Sequence, residues 1–218
     1  MTDRRDVTAI VLAGGRSTRF GGSKLDMLVA GERLLVRALR AVSTVAAQIV
    51  VAGPPLSGDI MHAGPAGPIP ATIRFVPDDE PFAGPLSAIA GVLATLTTEL
   101  ALVVGGDMPG LVPAVLESIL DRLTVSSDVD AVLLAAPQAS DEAPKPQILP
   151  LALRVGPASS AAADALGEGD RSLIRLLGRL RSIELPAREW LALDPAGETL
   201  LDVDFPADLE RFRARDLQ

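Results

Sequence analysis

Glycines and cations crowd into one short stretch of this chain, Leu12-Ala13-Gly14-Gly15-Arg16-Ser17-Thr18-Arg19-Phe20-Gly21-Gly22-Ser23-Lys24. It follows directly on an apolar run, Val7 to Val11, which reads as a buried strand. A strand that opens into glycines, two arginines and a lysine suits a polyphosphate. Glycines let backbone N–H groups approach the anion, and the cations neutralise it. Two common phosphate loops are excluded by spelling. A P-loop requires Gly-Lys-Ser/Thr, whereas here Ser23 precedes Lys24 and Leu25 follows. The dinucleotide fingerprint requires Gly-x-Gly-x-x-Gly, which Gly14-Gly15-Arg16-Ser17-Thr18-Arg19 does not supply. Arg16, Arg19 and Lys24 fall within nine residues of an otherwise acidic chain, unlike an ordinary solvated basic face. Their expected work is to screen a triphosphate and stabilise charge developing on a pyrophosphate leaving group.

Carboxylates supply the other half of such chemistry. Leu100 to Val104 has the pattern of a buried strand, Gly105-Gly106 ends it, and Asp107-Met108-Pro109 opens a turn. Open α/β sheets bind ligands at the carboxyl ends of their strands, near a switch in strand order. Asp107 and the glycine loop are therefore expected on one edge of one sheet. A carboxylate there is suited to Mg²⁺, a hard ion that takes oxygen ligands and bridges phosphates. The competing reading makes Asp107 a turn residue or a cap for a helix near Pro113. Asp204 is the candidate second ligand, with Asp202 two residues earlier on the same face of an expected short strand. Asp204-x-Pro-x-Asp-Leu equally reads as a helix N-cap followed by proline. His62 lies in a Pro/Gly-rich loop with neither a carboxylate nor a second histidine near it, so no zinc site or Ser/His triad is expected. Trp190 is expected to pack in the core or to line a ligand pocket.

Alternating apolar runs and helical patterns must position these groups. Strands are expected at Val7–Leu12, Gln48–Ala52, Thr72–Val76, Leu100–Val104, Asp130–Ala135, Ile148–Arg154, Ser182–Leu185 and Leu200–Val203. Helices are expected at Arg33–Val45, Leu86–Thr97, Pro113–Leu123, Ala158–Leu166, Ser172–Arg181 and Pro206–Arg215. Repeated βα units imply a doubly wound α/β sheet, mostly parallel and mixed at one edge, in a single domain. With 218 residues the chain can bury a sizeable core, and with aromatics at 3% that core must be aliphatic. The net charge of −8 argues against a general nucleic-acid-binding surface. The absence of cysteine excludes thiolate catalysis, disulfides and Cys-based metal sites. No apolar run approaches the roughly 18 residues of a membrane span, and the charged N-terminus leads into a strand rather than a signal segment. A cytoplasmic protein is expected.

Five blocks stand in order: the glycine loop, Gly84-Pro85-Leu86, Gly106-Asp107-Met108-Pro109, Gly169-Asp170-Arg171-Ser172, and Asp202-Val203-Asp204-Phe205-Pro206-Ala207-Asp208-Leu209. Together they resemble the MobA-like nucleotidyltransferases, the family of the molybdenum cofactor guanylyltransferases, over almost the whole chain. The resemblance implies one Rossmann-like nucleotidyltransferase domain across residues 1–218. Its N-terminal half would bind nucleotide and its C-terminal half the acceptor. It places Leu12, Ala13, Gly14, Gly15, Lys24, Asp78 and Asp107 on the nucleotide, with Asp79 an equal claimant to the role of Asp78. Mg²⁺ is expected on Asp107 and Asp204, and Arg171, in the half that the resemblance assigns to the acceptor, is the candidate for its phosphate. Lys145-Pro146-Gln147 falls in the acceptor half. GTP is the implied donor and molybdopterin the implied acceptor, with molybdoenzymes or other cofactor-delivery proteins as partners.

The chain departs from the family pattern at three places. Asp202 and Asp204 stand where the family often has Asn. Asp26 stands near Lys24 where a small or apolar residue is usual, and is expected to pair with that lysine. Val51-Ala52-Gly53 occupies the region in which the family carries an Asn. Leu12-Ala13-Gly14-Gly15 favours the guanylyl branch over cytidylyl relatives, which more often read Ala-Ala-Gly. The alternatives are a cytidylyl- or sugar-phosphate nucleotidyltransferase of the same fold and a non-catalytic nucleotide-binding module.

Overall fold

The computed structural model describes residues 2–14, 24–53, 67–77, 84–137 and 147–215. The strands are β1 (Val7–Leu12), β2 (Leu28–Val29), β3 (Glu32–Arg33), β4 (Gln48–Ala52), β5 (Thr72–Val76), β6 (Leu100–Gly105), β7 (Ala131–Leu134), β8 (Leu151–Arg154) and β9 (Ser182–Leu185). The helices are α1 (Leu34–Val42), α2 (Pro85–Leu93), α3 (Pro113–Val125), α4 (Val155–Gly167), α5 (Leu173–Leu177), α6 (Ala187–Trp190) and α7 (Pro206–Arg215).

β1 and β6 are apolar on both faces, so each face must be covered. They lie side by side within a seven-stranded sheet of order β5-β4-β1-β6-β8-β7-β9. The pairs β5/β4, β4/β1, β1/β6 and β7/β9 are parallel, and β8 runs antiparallel to both β6 and β7. This is the doubly wound, mixed sheet expected from the sequence, with the antiparallel β8 lying between β6 and β7. Side chains alternate across it: Ala9 and Val11 of β1 join one core, and Ile10 joins the other. The first core is closed by Leu35 and Leu39 of α1 with Leu116 and Ile119 of α3. The second is closed by Leu86 and Ile89 of α2 with Ala158 and Ala162 of α4.

Polar groups finish what burial begins. α3 ends on carbonyls that need donors, and Arg154 at the end of β8 supplies them. Its Nη2 donates to Leu123 O at 2.8 Å and Ser126 O at 3.3 Å, and its Nε to Val129 O at 3.0 Å. Trp190 is fully buried in the first core, and its indole N–H donates to Ala135 O at 2.9 Å. It is a core residue rather than a pocket wall.

Two local expectations need correction. Leu200–Val203 is not a strand. Glu198–Leu200 forms a short 3₁₀ turn, and the Val203 N–H donates to Asp107 O at 3.0 Å instead of joining a ladder. Arg33, expected to open a helix, instead ends a β2/β3 hairpin in which Leu28 lies opposite it. The hairpin's two turn residues, Ala30 (φ 49°) and Gly31 (φ 79°), both take positive φ, as tight hairpins demand.

Candidate active site

The sheet order places the site. From β1 the chain moves outward to β4 and β5, then returns to β1's other side with β6. The carboxyl ends of β1 and β6 thus flank a topological switch point. Leu12 pairs with Ala52 on one side and Gly105 on the other, so the glycine loop and Asp107 leave the sheet from neighbouring positions. The Gly106 N–H donates to Leu12 O at 2.9 Å. A Cβ at Gly106 would lie 2.9 Å from Leu35 Cδ1 and 3.1 Å from Leu12 O, so a larger residue would displace the Leu35 side chain and crowd this hydrogen bond.

Lys24 is the centre of the described site. Its Nζ lies 2.8 Å from Asp107 Oδ2 and 3.1 Å from Asp204 Oδ1. The lysine side chain is 12% exposed, against 32% for Asp107 and 54% for Asp204, so the ammonium is the most enclosed member of the trio. Burial depresses the Lys24 pKa, but hydrogen bonds and charge from Asp107, then Asp204, outweigh it, and the net shift is upward. Asp202 stands close by. Desolvation, followed by the negative charge of Asp204 and Asp107, raises its pKa, while Lys24 acts in the opposite sense.

The cap readings resolve clearly. α3 begins at Pro113 with no side-chain cap, so Asp107 is not a helix cap. Asp204 does not cap α7 with its side chain either. The carboxylate serving that end belongs to Asp208, whose Oδ2 accepts from the Asp204 N–H at 3.0 Å and the Phe205 N–H at 2.8 Å. Asp26 does not pair with Lys24; its Oδ1 lies 3.5 Å from Arg33 Nη1.

A cleft of about 590 Å³ opens beside this trio. Leu12, Gly14, Gly105, Asp107 and Met108 line it from the strand ends, and Asp202 and Asp204 from the C-terminal segment. Pro85, Gln147, Ile148, Leu149 and Leu173 form the rest of the described wall. Gln147 also anchors the C-terminal segment, because its side-chain amide donates to Leu200 O. Arg171 is exposed and lies against the start of α2, two residues before Leu173 of the cleft wall. Gly84 there has φ 102°, and a Cβ would lie 2.9 Å from Arg171 O. Ala13 leaves β1 with its N–H on Ala52 O at 2.8 Å, and Gly14 follows it into the cleft.

Gly15, Arg16, Arg19, Asp78, Asp79, His62 and Lys145 lie outside the described residues. Among the described residues, no group of three His, Asp or Glu side chains is arranged to hold a metal unaided. Asp107 and Asp204 nonetheless fit Mg²⁺, which commonly takes one or two carboxylates and completes its shell with phosphates and water. Both already gather around one cation, the Lys24 ammonium. Asp208 stands in a quoted block, but motif reading gave it no role of its own. The signal for Asp208 was present: an acid two residues after a helix-starting proline is a cap pattern.

Residues 9–183 match the MobA-like NTP transferase domain. The chain is 30% identical over 213 residues to a protein of Chloroflexus aggregans named probable molybdenum cofactor guanylyltransferase, covering 95% of this chain and 94% of that one. A protein of the same name from Natronomonas pharaonis is 32% identical over 211 residues, covering 95% and 97%. Among solved structures, the molybdopterin-guanine dinucleotide biosynthesis protein A of Archaeoglobus fulgidus superposes with TM-score 0.71 at 21% identity, over 96% of this chain and 98% of that one. The 4-diphosphocytidyl-2C-methyl-D-erythritol synthase of Anaerococcus prevotii superposes with TM-score 0.72 at 15% identity, over 99% and 100%, which shows a shared fold. Among the described residues, no helix is long and apolar enough to cross a membrane. With a nucleotidyltransferase sheet, a glycine loop ending in an enclosed lysine, and full-length similarity to these relatives, the chain belongs to the MobA-like NTP transferase family.

Proposed function

We propose that this chain transfers the GMP moiety of GTP to the phosphate of molybdopterin, with or without molybdenum, and releases pyrophosphate. The observation that carries the reading is Lys24, held between Asp107 and Asp204, two carboxylates that line the cleft where β1 and β6 end. The names of the full-length relatives support guanylyl transfer to this acceptor class. In this reading the N-terminal half of the 1–218 domain binds nucleotide, through Leu12, Ala13, Gly14, Gly15, Lys24, Asp78 and Asp107. The C-terminal half binds the acceptor, with Arg171 on its phosphate.

An oxygen of the acceptor phosphate attacks the α-phosphorus of GTP. The new P–O bond forms as the bond to the β-phosphate oxygen breaks, and the electron pair leaves with pyrophosphate. Arg16, Arg19 and Lys24 stabilise the charge on that leaving group. The attacking oxygen is already anionic, so no base has to remove a proton, and a site without Cys or a placed His suffices. Asp107 and Asp204 are the residues to hold Mg²⁺, which supplies charge neutralisation at the phosphates when bound. The reaction would run in the cytoplasm, with the product handed to molybdoenzymes or cofactor-delivery proteins.

Calorimetric titration of the protein with GTP, CTP, ATP and UTP, each with Mg²⁺, tests this directly. The expected result is Mg²⁺-dependent binding of GTP alone, abolished in Asp107→Ala. Preference for CTP would move the chain to the cytidylyl branch. Failure to bind any nucleotide, with molybdopterin present or absent, would overturn the mechanism in favour of a binding module.

A further inference from the structure

We infer that Asp208 is a positioning residue that aims the Asp204 carboxylate at the site, an inference that rests on the metal role proposed for Asp204. The argument begins at the start of α7. A helix N-terminus leaves backbone N–H groups without partners, and an acid at the first position available usually turns back to take them. Asp204 stands just before Pro206 and is the obvious candidate for that duty. It does not perform it. Asp208, four residues on, places one oxygen on both the Asp204 N–H (3.0 Å) and the Phe205 N–H (2.8 Å). The Asp208 N–H closes the ring by donating to Phe205 O at 3.0 Å.

Two consequences follow for the cleft. The Asp204 carboxylate meets the Lys24 ammonium at 3.1 Å and does not turn onto the helix end. The backbone that carries it is fixed on both flanks. Asp208 holds residues 204 and 205, and the Val203 N–H donates to Asp107 O at 3.0 Å. A single acceptor oxygen thereby links the helix cap to the orientation of a residue that Asp107 must work beside. Groups that orient a metal ligand without touching the metal typically change its affinity by about 10–100-fold when removed.

The test compares the wild type with Asp208→Ala and Asp208→Asn. Three quantities are measured: Mn²⁺ binding in the presence of GTP by electron paramagnetic resonance, the Mg²⁺ concentration for half-maximal turnover, and thermal unfolding. Asp208→Ala is expected to weaken Mn²⁺ binding and raise the Mg²⁺ half-saturation by about tenfold, with kcat at saturating Mg²⁺ little changed. Asp208→Asn keeps an acceptor oxygen and is expected to restore both values to within about twofold of wild type. A lower unfolding temperature in Asp208→Ala with unchanged metal affinity would overturn the inference, because it would show a cap and nothing more. Failure of Asp208→Asn to rescue would also overturn it, by showing that charge rather than hydrogen bonding matters. If Asp208→Ala does not fold, the Asn variant alone decides, since the inference requires it to bind metal normally. A wild type that binds neither Mn²⁺ nor GTP would instead count against the proposed function.

Discussion

Asp107 and Asp204 meet the same lysine, yet they reach it by different kinds of structure. Asp107 extends β6, a strand buried throughout, paired on both edges and packed between two aliphatic cores. Asp204 arrives on a segment outside the sheet. A small cluster of Val29, Leu34, Val203, Leu209 and Phe212 holds that segment, together with the Asp208 cap and the Val203–Asp107 hydrogen bond. One carboxylate is built into the fold, and the other is strapped on. Interior packing tolerates little displacement, whereas a terminal helix resting on a small core opens at much lower cost. The first group is suited to constant work and the second to adjustment as ligands enter and leave.

The largest effect that sharpens this contrast is catalytic. Asp107→Ala is expected to lower turnover by about 10²–10³-fold with the fold intact, the loss usual for a fixed electrostatic group. Asp204→Ala should cost about tenfold and appear chiefly as weaker metal binding. Equal losses, measured by pyrophosphate release, would show the two sides to be equivalent.

The next effect is on stability. Trp190→Ala, which empties a fully buried site and orphans Ala135 O, should cost roughly 3–5 kcal/mol in urea unfolding. Leu209→Ala, in the small cluster under α7, should cost about 2 kcal/mol, yet raise the Mg²⁺ half-saturation severalfold. If Trp190→Ala perturbed metal binding more than Leu209→Ala, the strap would not be the adjustable part.

The smallest effect lies in acid stability. Asp130 joins β7 to β9 through Arg181, with its two carboxylate oxygens 2.9 Å from Nη2 and Nε. The hydrogen bonds from Arg181 outweigh burial and hold its pKa below the ordinary carboxylate value. A depressed pKa stabilises the fold above the unfolded-state value and is lost as pH falls through the folded-state value. Asp130→Asn should therefore unfold at a lower temperature than wild type near neutral pH, and the gap should close as pH falls below the ordinary carboxylate range and through the folded-state value. A gap independent of pH would show that the carboxylate charge contributes nothing there.

Most of this architecture was legible because its signals are local and repeated. β1, β4, β5 and β9 begin and end where their apolar runs do, and the glycines after Leu12 and Val104 mark the two strand ends that carry chemistry. What escaped reading had weak or non-local causes. The β2/β3 hairpin has strands of two residues, and Ala30 at a positive-φ position hides the turn that an Asn would announce. α4 starts at Val155, ahead of the expected Ala158, because Gly156 and Pro157 sit in its first turn, where proline costs least. Leu200–Val203 has strand-like composition, but its Val203 N–H is taken by Asp107 O and the Val203 side chain packs in the small cluster with Leu209 and Phe212. The partner of Lys24 was hardest to foresee: Asp26, two residues away, was the nearer candidate, yet folding delivered Asp107 and Asp204 from distant blocks.

The Lys24–Asp204 contact spans 180 positions, and this has a consequence in time. On a ribosome adding about 5–20 residues per second, Asp107 is made some 5–20 s before Asp204 and α7. Through that interval β1, β4, β5 and β6 have every partner they need from within the first half, apart from β8. A nascent chain thus acquires the sheet that carries Asp107 well before it acquires the second carboxylate. The order of synthesis leaves the Lys24 ammonium of the growing chain with Asp107 alone until α7 docks and brings Asp204.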